Sequence, residues 1–292
     1  MSRRTGMPLF DATAVGIYEK ALAGEDWAAN CEQAASAGYS FVELSVDDSP
    51  ERLARLTWSK STRRKVRQTA ASAGVHVGTI VLSAHRSFPW GSADSAVRQR
   101  ADELAAQAID LAADLSADRV QIAGYFAFDG PRHNRARDCF IHGIQRAADV
   151  AETRAIRLAI ENMDGSDVIS ASDAIALIRD IDRENVRLYP DLGNFAGNGL
   201  DAARELRAAL PWADAVQLKD AKRGAFRRIQ FGDGLVDWPA AIRVLLADSW
   251  HGPISIEMWN DSKDPELAGA ALNWLQDQAR GVTSPAGKHY SK

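Results

Sequence analysis

Three carboxylates stand at the ends of short apolar runs: Leu158-Ala159-Ile160-Glu161, Arg187-Leu188-Tyr189-Pro190-Asp191 and Ile254-Ser255-Ile256-Glu257. Each run gives way to a turn signal, at Asp164-Gly165, Gly193-Asn194 and Asn260-Asp261. A fourth run of the same shape, Ala215-Val216-Gln217-Leu218-Lys219-Asp220, offers the amide of Gln217 where its neighbours offer acids. Taking a carboxylate out of water is costly unless a partner compensates. Several of them converging at one end of a parallel sheet are explained by a single divalent cation. An all-oxygen set of Glu161, Asp191, Gln217 and Glu257 favours Mn2+ or Mg2+, with Zn2+ and Co2+ also able to bind. The plainer explanation is pairing with cations such as Lys219, Arg157 or Arg187. It accounts for one acid easily and for three at equivalent strand ends poorly.

The elements that must carry these residues alternate regularly. Runs of strand character fall at 14–18, 41–46, 76–83, 119–123, 157–162, 186–191, 213–219 and 253–258. Alanine-rich amphipathic stretches separate them, at 27–37, 59–73, 95–115, 134–154, 172–181, 202–210, 238–247 and 265–281. Within one of these, Leu104, Ala105, Ala108, Ile109, Leu111 and Ala112 form a stripe of 3.6-residue period. Gly38, Gly74 and Gly252 are placed as helix-ending glycines. Eight strand–helix units in about 270 residues predict an α/β fold of the (β/α)8 TIM-barrel type. An open doubly wound sheet is the rival, but functional-looking residues at the ends of at least four strands favour a closed ring with one mouth. The expected organisation is an N-terminal extension over 1–12, a single barrel domain over 13–281 and a tail over 282–292.

Composition narrows the class. A chain of 292 residues, 46% hydrophobic and 25% charged, can bury a large core. A net charge of −4 argues against general binding to nucleic acid, and the basic run Lys60–Lys65 reads as a solvated helix face. No apolar stretch approaches the ~20 residues of a membrane span, and no signal peptide is evident. Cys31 and Cys139 lack metal-knuckle spacing and suit a reducing compartment, so a cytoplasmic location is expected.

Five segments then narrow the function. Gly16-Ile17-Tyr18-Glu19-Lys20-Ala21-Leu22, Phe41-Val42-Glu43-Leu44-Ser45-Val46-Asp47, Leu82-Ser83-Ala84-His85-Arg86-Ser87-Phe88-Pro89, Tyr189-Pro190-Asp191-Leu192-Gly193-Asn194 and Ile256-Glu257-Met258-Trp259 resemble the L-ribulose-5-phosphate 3-epimerase family. These enzymes, also called L-xylulose-5-phosphate 3-epimerases, are xylose-isomerase-like TIM barrels. The resemblance runs from about Gly16 to beyond Trp259. It implies metal ligation by Glu161, Asp191 and Glu257, with the fourth ligand, a family histidine, replaced by Gln217. A neutral amide oxygen is harder than imidazole and should weaken Zn2+ relative to Mn2+ or Mg2+, so Mn2+ is the expected ion.

The implied reaction inverts C3 of a pentulose 5-phosphate, with Glu161 and Glu257 as acid and base on opposite faces of a cis-enediolate. The resemblance points to Tyr18, Lys20, Glu43, Ser83, His85, Arg86, Lys219, Arg223 and Trp259 as sugar-phosphate contacts. Against this stand ordinary roles: solvated charge for Lys20 and Arg223, an ion pair for Glu43, and packing for Trp259 and Phe88. The loop Phe231-Gly232-Asp233-Gly234-Leu235-Val236-Asp237 resembles a superfamily motif, and, lacking a Gly-x-Gly-x-x-Gly or Walker pattern, it reads only weakly as a phosphate cradle. The expected partner is a small sugar phosphate, with neither nucleic acid nor membrane, and a homodimer is compatible with this. Three alternatives stay open: a sugar isomerase or an epimerase of another ketose; a non-catalytic sugar-phosphate binder; and, disfavoured by few histidines and negative charge, an apurinic-site endonuclease.

Overall fold

The computed structural model describes residues 9–128, 130–165 and 167–283. Most of the expected N-terminal extension (1–8) and of the expected tail (284–292) lies outside these residues. The strands are β1 (Val15–Tyr18), β2 (Phe41–Ser45), β3 (His76–Leu82), β4 (Arg119–Ala123), β5 (Arg157–Glu161), β6 (Val186–Tyr189), β7 (Val216–Leu218) and β8 (Ile254–Ile256). The helices are α1 (Leu9–Ala12), α2 (Trp27–Ser36), α3 (Pro50–Leu53), α4 (Lys60–Ala73), α5 (Ser95–Leu115), α6 (Ala136–Glu152), α7 (Ala171–Ile181), α8 (Leu192–Gly197), α9 (Ala202–Ala209), α10 (Trp238–Ala247) and α11 (Leu267–Thr283).

All ladders are parallel, in the order β6-β5-β4-β3-β2-β1-β8-β7. The ring is nearly closed, the join between β6 and β7 consisting of two isolated bridges, Leu188 to Ala213 and Asp191 to Gln217. The second is made by the Gln217 N–H donating to the Pro190 carbonyl at 2.9 Å. The eight-stranded barrel expected from the alternation is therefore what forms.

Strand alternation divides the side chains into two sets. Val120, Ile122, Leu158, Ile160, Leu188, Val216, Leu218, Ile254 and Ile256 join the large core shared with the helices. The other set faces the ring's interior, which is unusually polar. Low in the ring Arg119, 1% exposed, pairs with Asp214, which also takes Arg157. Above it the Tyr189 hydroxyl donates to Glu43 across the interior. The acids at the strand ends form the uppermost layer.

Local signals explain the boundaries. Asp26, Ser59, Asp94, Asp201 and Asp237 cap helices with their side chains, and Ser170 with Asp173 makes a capping box on α7. Gly74 ends α4 at φ +90°, a left-handed conformation that glycine adopts without a Cβ penalty. Gly252 does not end a helix: Ser249, at φ +50°, takes the left-handed position after α10. Gly252 is instead required by packing, because a Cβ there would lie 2.3 Å from the Trp250 ring. The basic run on α4 is largely exposed, as a solvated face should be. Helix α11 continues through Thr283, two residues past the expected end of the barrel.

The glycine-rich loop after β7 cradles an anion belonging to the chain itself. The buried Asp220 carboxylate accepts from the backbone N–H groups of Gly232 (2.9 Å), Gly234 (3.2 Å) and Val236 (3.3 Å), and from Trp238 Nε1 (3.1 Å). A Cβ on Gly234 would sit 1.9 Å from Asp220 Oδ1, so only glycine lets the backbone approach this closely. Asp220→Ala strands the buried donors of Val236 and Trp238 and is expected to destabilise the protein by roughly 3 kcal/mol or more, read from urea unfolding. A loss within about 0.5 kcal/mol would contradict the anchoring role.

Candidate active site

Strand ends deliver the three acids to one point. Glu161 is the last residue of β5, Asp191 lies two residues past β6 and caps α8, and Glu257 follows β8 directly. One carboxylate oxygen from each lies within 4.8 Å of the others. Glu161 and Asp191 are buried and Glu257 is nearly so, with 11% of its side chain exposed.

Two asparagines hold the cluster. Asn162 Oδ1 accepts the Asp191 N–H at 2.7 Å, and its amide donates to the Asp191 carbonyl at 3.0 Å. Asn194 donates to Glu161 Oε1 at 3.0 Å, while its backbone N–H donates to Asp191 Oδ1 at 2.7 Å. Gln121 donates to the other Glu161 oxygen. Lys219 Nζ stands 3.1 Å from Asp191 Oδ2 and 3.0 Å from Glu257 Oε2, and donates to Asn194 Oδ1 at 2.9 Å. Pairing with Lys219, weighed from the sequence, is thus realised for two of the acids, whereas Arg157 turns to Asp214.

The electrostatics follow from crowding. Burial, then the charges of Glu257 and Asp191, raise the Glu161 pKa well above the ordinary carboxylate range. Burial also raises that of Asp191, against the opposing pull of Lys219. For Lys219, burial alone would depress the ammonium, but Asp191, Glu257 and Glu161 outweigh it and hold its pKa above normal.

These residues fit a hard divalent cation. Gln217 Oε1 is buried without a hydrogen-bond partner, on the residue bridged to Asp191 across the β6–β7 join. Asp191 Oδ2 and Glu257 Oε2 have the Lys219 ammonium beside them and accept no other hydrogen bond. An unpartnered amide oxygen beside carboxylate oxygens at strand ends offers the donor atoms that a cation such as Mn2+ or Mg2+ uses.

Beside the cluster opens a cavity of about 210 Å3. Glu161, Glu257, Tyr18, Lys20, Ser83, Arg86, Lys219 and Trp259 all line it. Tyr18 and Trp259 meet edge to face at 6.0 Å, and Lys20 is held at the rim by Asp47 at 2.6 Å. Arg86 packs its guanidinium over the rings of Tyr125 and Phe128.

Three expected sugar-phosphate contacts are not on this surface. His85 turns away from the mouth: it is 4% exposed, packs at a tilt against Trp90 and hydrogen-bonds the Ala101 carbonyl on α5 at 3.1 Å. Burial lowers its pKa to about 4, so it is a neutral packing group. Glu43 is fully buried beneath the acids, and its partner is Tyr189 rather than Lys20. Arg223 is exposed and lies against Gly199, its place at the cavity being taken by Arg227 and Arg228. Phe88 packs on the core. Sequence reasoning also missed Gln121, Asn194, Met163 and Asp164 as site residues, although Asn194 stood in the Asp191–Asn194 motif, Asp164 in the turn signal after the Glu161 run and Gln121 in a strand run.

A profile of the xylose isomerase-like TIM barrel family matches residues 31–278. L-ribulose-5-phosphate 3-epimerase UlaE of Escherichia coli strain K12 is 37% identical over 265 residues, covering 90% of this chain and 93% of that protein. The UlaE protein of Escherichia coli O157:H7 matches with the same identity and coverage. Among solved structures, L-ribulose 3-epimerase superposes with a TM-score of 0.76 at 18% identity, over 96% of this chain and 100% of that one. D-allulose 3-epimerase from Methylomonas sp., solved with D-allulose, gives 0.75 at 20%, over 91% and 97%. At these identities the structural matches speak to the fold alone.

The raised carboxylates set a pH dependence. A folded-state pKa above the unfolded value contributes stability that is complete at low pH and lost as pH rises through the folded value. For Asp191 that value is about 7. The metal-free protein is therefore expected to melt at progressively lower temperature between about pH 5 and pH 7, levelling off above the folded value. A melting temperature that climbs across this range would contradict the crowded, partly protonated cluster.

Proposed function

The chain belongs to the xylose isomerase-like TIM barrel family and is a sugar epimerase, and from this we propose that it inverts C3 of a pentulose 5-phosphate, interconverting L-ribulose 5-phosphate and L-xylulose 5-phosphate. The observation that carries the reading is the pair Glu161 and Glu257, two carboxylates from strands on different sides of the ring that line one cavity and share one cluster.

Epimerisation at C3 removes the proton alpha to the C2 carbonyl and returns one to the opposite face. One glutamate takes the C3 proton as base, and the other, carrying a proton, delivers it from the far side of the cis-enediolate. Which residue acts as base depends on the epimer bound. Hydrogen bonds from Gln121 and Asn194 fix the Glu161 carboxylate, so that it meets C3 in one orientation. Glu161, Asp191, Gln217 and Glu257 would hold a divalent ion, Mn2+ for preference, whose chemistry when bound is Lewis-acid polarisation of the ketose oxygens.

The phosphate end needs cations and hydroxyls. Lys20, Ser83 and Arg86 supply them from the ends of β1 and β3, and Arg227, stacked 5.8 Å over Trp259, adds charge in the role expected of Arg223. Trp259 and Tyr18 wall the sugar, and the free thiols of Cys31 and Cys139 agree with work in the cytoplasm.

Incubation with L-ribulose 5-phosphate and Mn2+ in D2O is expected to place deuterium at C3. Deuterium at C1 would mark an isomerase, and saturable binding without exchange a non-catalytic binder. Glu161→Gln and Glu257→Gln should each reduce exchange by about a thousandfold or more with the fold preserved; full activity in either overturns its role. Gln217→His is expected to tighten Zn2+ binding about tenfold or more, measured by competition with a chromogenic chelator. An unaltered Zn2+ affinity removes position 217 from the ligand set.

A further inference from the structure

Lys219 occupies a place that cavity lining alone does not explain. Asp191 has one oxygen, Oδ1, committed to the Asn194 N–H, so Oδ2 is the oxygen it presents to the cluster. The Lys219 ammonium lies 3.1 Å from that atom and 3.0 Å from Glu257 Oε2, with a third contact of 2.9 Å to Asn194. Its side chain is 6% exposed, so these are not screened surface pairs.

The backbone gives the lysine little freedom. A Cβ on Gly193 would come within 2.8 Å of the Lys219 carbonyl, which shows how tightly the α8 turn presses on the end of β7. On one side Gln217 is tied to Pro190, and on the other Asp220 is clamped by five donors, the Ala221 N–H among them. The ammonium is therefore held at the acids by the way β7 ends.

Charge counting gives this position a meaning. When all three clustered carboxylates are ionised, as they would be around a bound cation, the one ammonium offsets one of their three negative charges and leaves two for a divalent ion. The ammonium also repels an incoming cation at the oxygens the two would share.

We propose that Lys219 is a resident counter-cation of the metal site: it keeps the three acids assembled when no metal is bound, and it weakens metal binding so that the ion is exchangeable. The inference rests on the metal reading above and goes beyond it, because it assigns the chain itself a competing cation. Lys219 acts here as a positioning residue, through Asp191 and Glu257.

The test uses chelator-stripped full-length protein, wild type beside Lys219→Met and Lys219→Gln. The glutamine variant keeps an amide donor for Asn194, so a folded neutral variant is available even if the methionine variant collapses. Calorimetric titration with Mn2+ is expected to show binding about tenfold tighter or more in the variants. Their metal-free melting temperatures should fall by about 5 °C or more, with the loss largely recovered on saturation with Mn2+. Unchanged or weaker Mn2+ affinity in a folded variant overturns the proposal, as does an unchanged metal-free melting temperature. If neither wild type nor variants bind Mn2+, the metal reading itself has failed, a result distinct from equal affinities.

Discussion

Mutual repulsion among Glu161, Asp191 and Glu257 is the constraint that the barrel mouth is organised around. Like charges held within 4.8 Å out of water must be neutralised, protonated or pulled apart. The neighbouring polar groups prevent the last outcome. Asn162 and Asn194 stitch the ends of β5 and β6 together, Gln121 reaches across from β4, and Lys219 supplies charge. None of these groups is exposed, so each gains more from its partner than it would in water.

The same logic extends down the interior. A ring filled with apolar side chains would pack well but could not present acids at its upper layer without a sharp dielectric step. This one is polar along its axis, from Arg119 and Asp214 through Glu43 and Tyr189 to the acids. The apolar contribution to stability is displaced outward, where strand side chains meet the helices in one continuous core.

The alternation of strand and helix was legible because it is written locally, in apolar runs, amphipathic stripes and helix-ending glycines such as Gly74. The acids were legible for a related reason: a carboxylate ending an apolar run contradicts its surroundings, and that conflict marks function. Direction was not legible. His85 and Arg86 are adjacent, and nothing local says that one turns into α5 while the other faces the cavity. Arg227 replaced Arg223 because the long loop after β7 carries several arginines and its path depends on packing against Gly197 and Gly199. The glycine-rich loop misled in another way. Its N–H groups do gather an anion, but the anion is Asp220, twelve residues before the first glycine involved.

The join between β6 and β7 has a mechanical consequence. Every other neighbouring pair of staves is laced by a ladder, whereas this seam has two isolated rungs, and the upper one joins Asp191 to Gln217. The ring's stitching is thinnest here, between two of the proposed oxygen donors. An ion gripped by both residues would act as a rivet across the gap, making hoop stiffness and cofactor occupancy a single property of this protein.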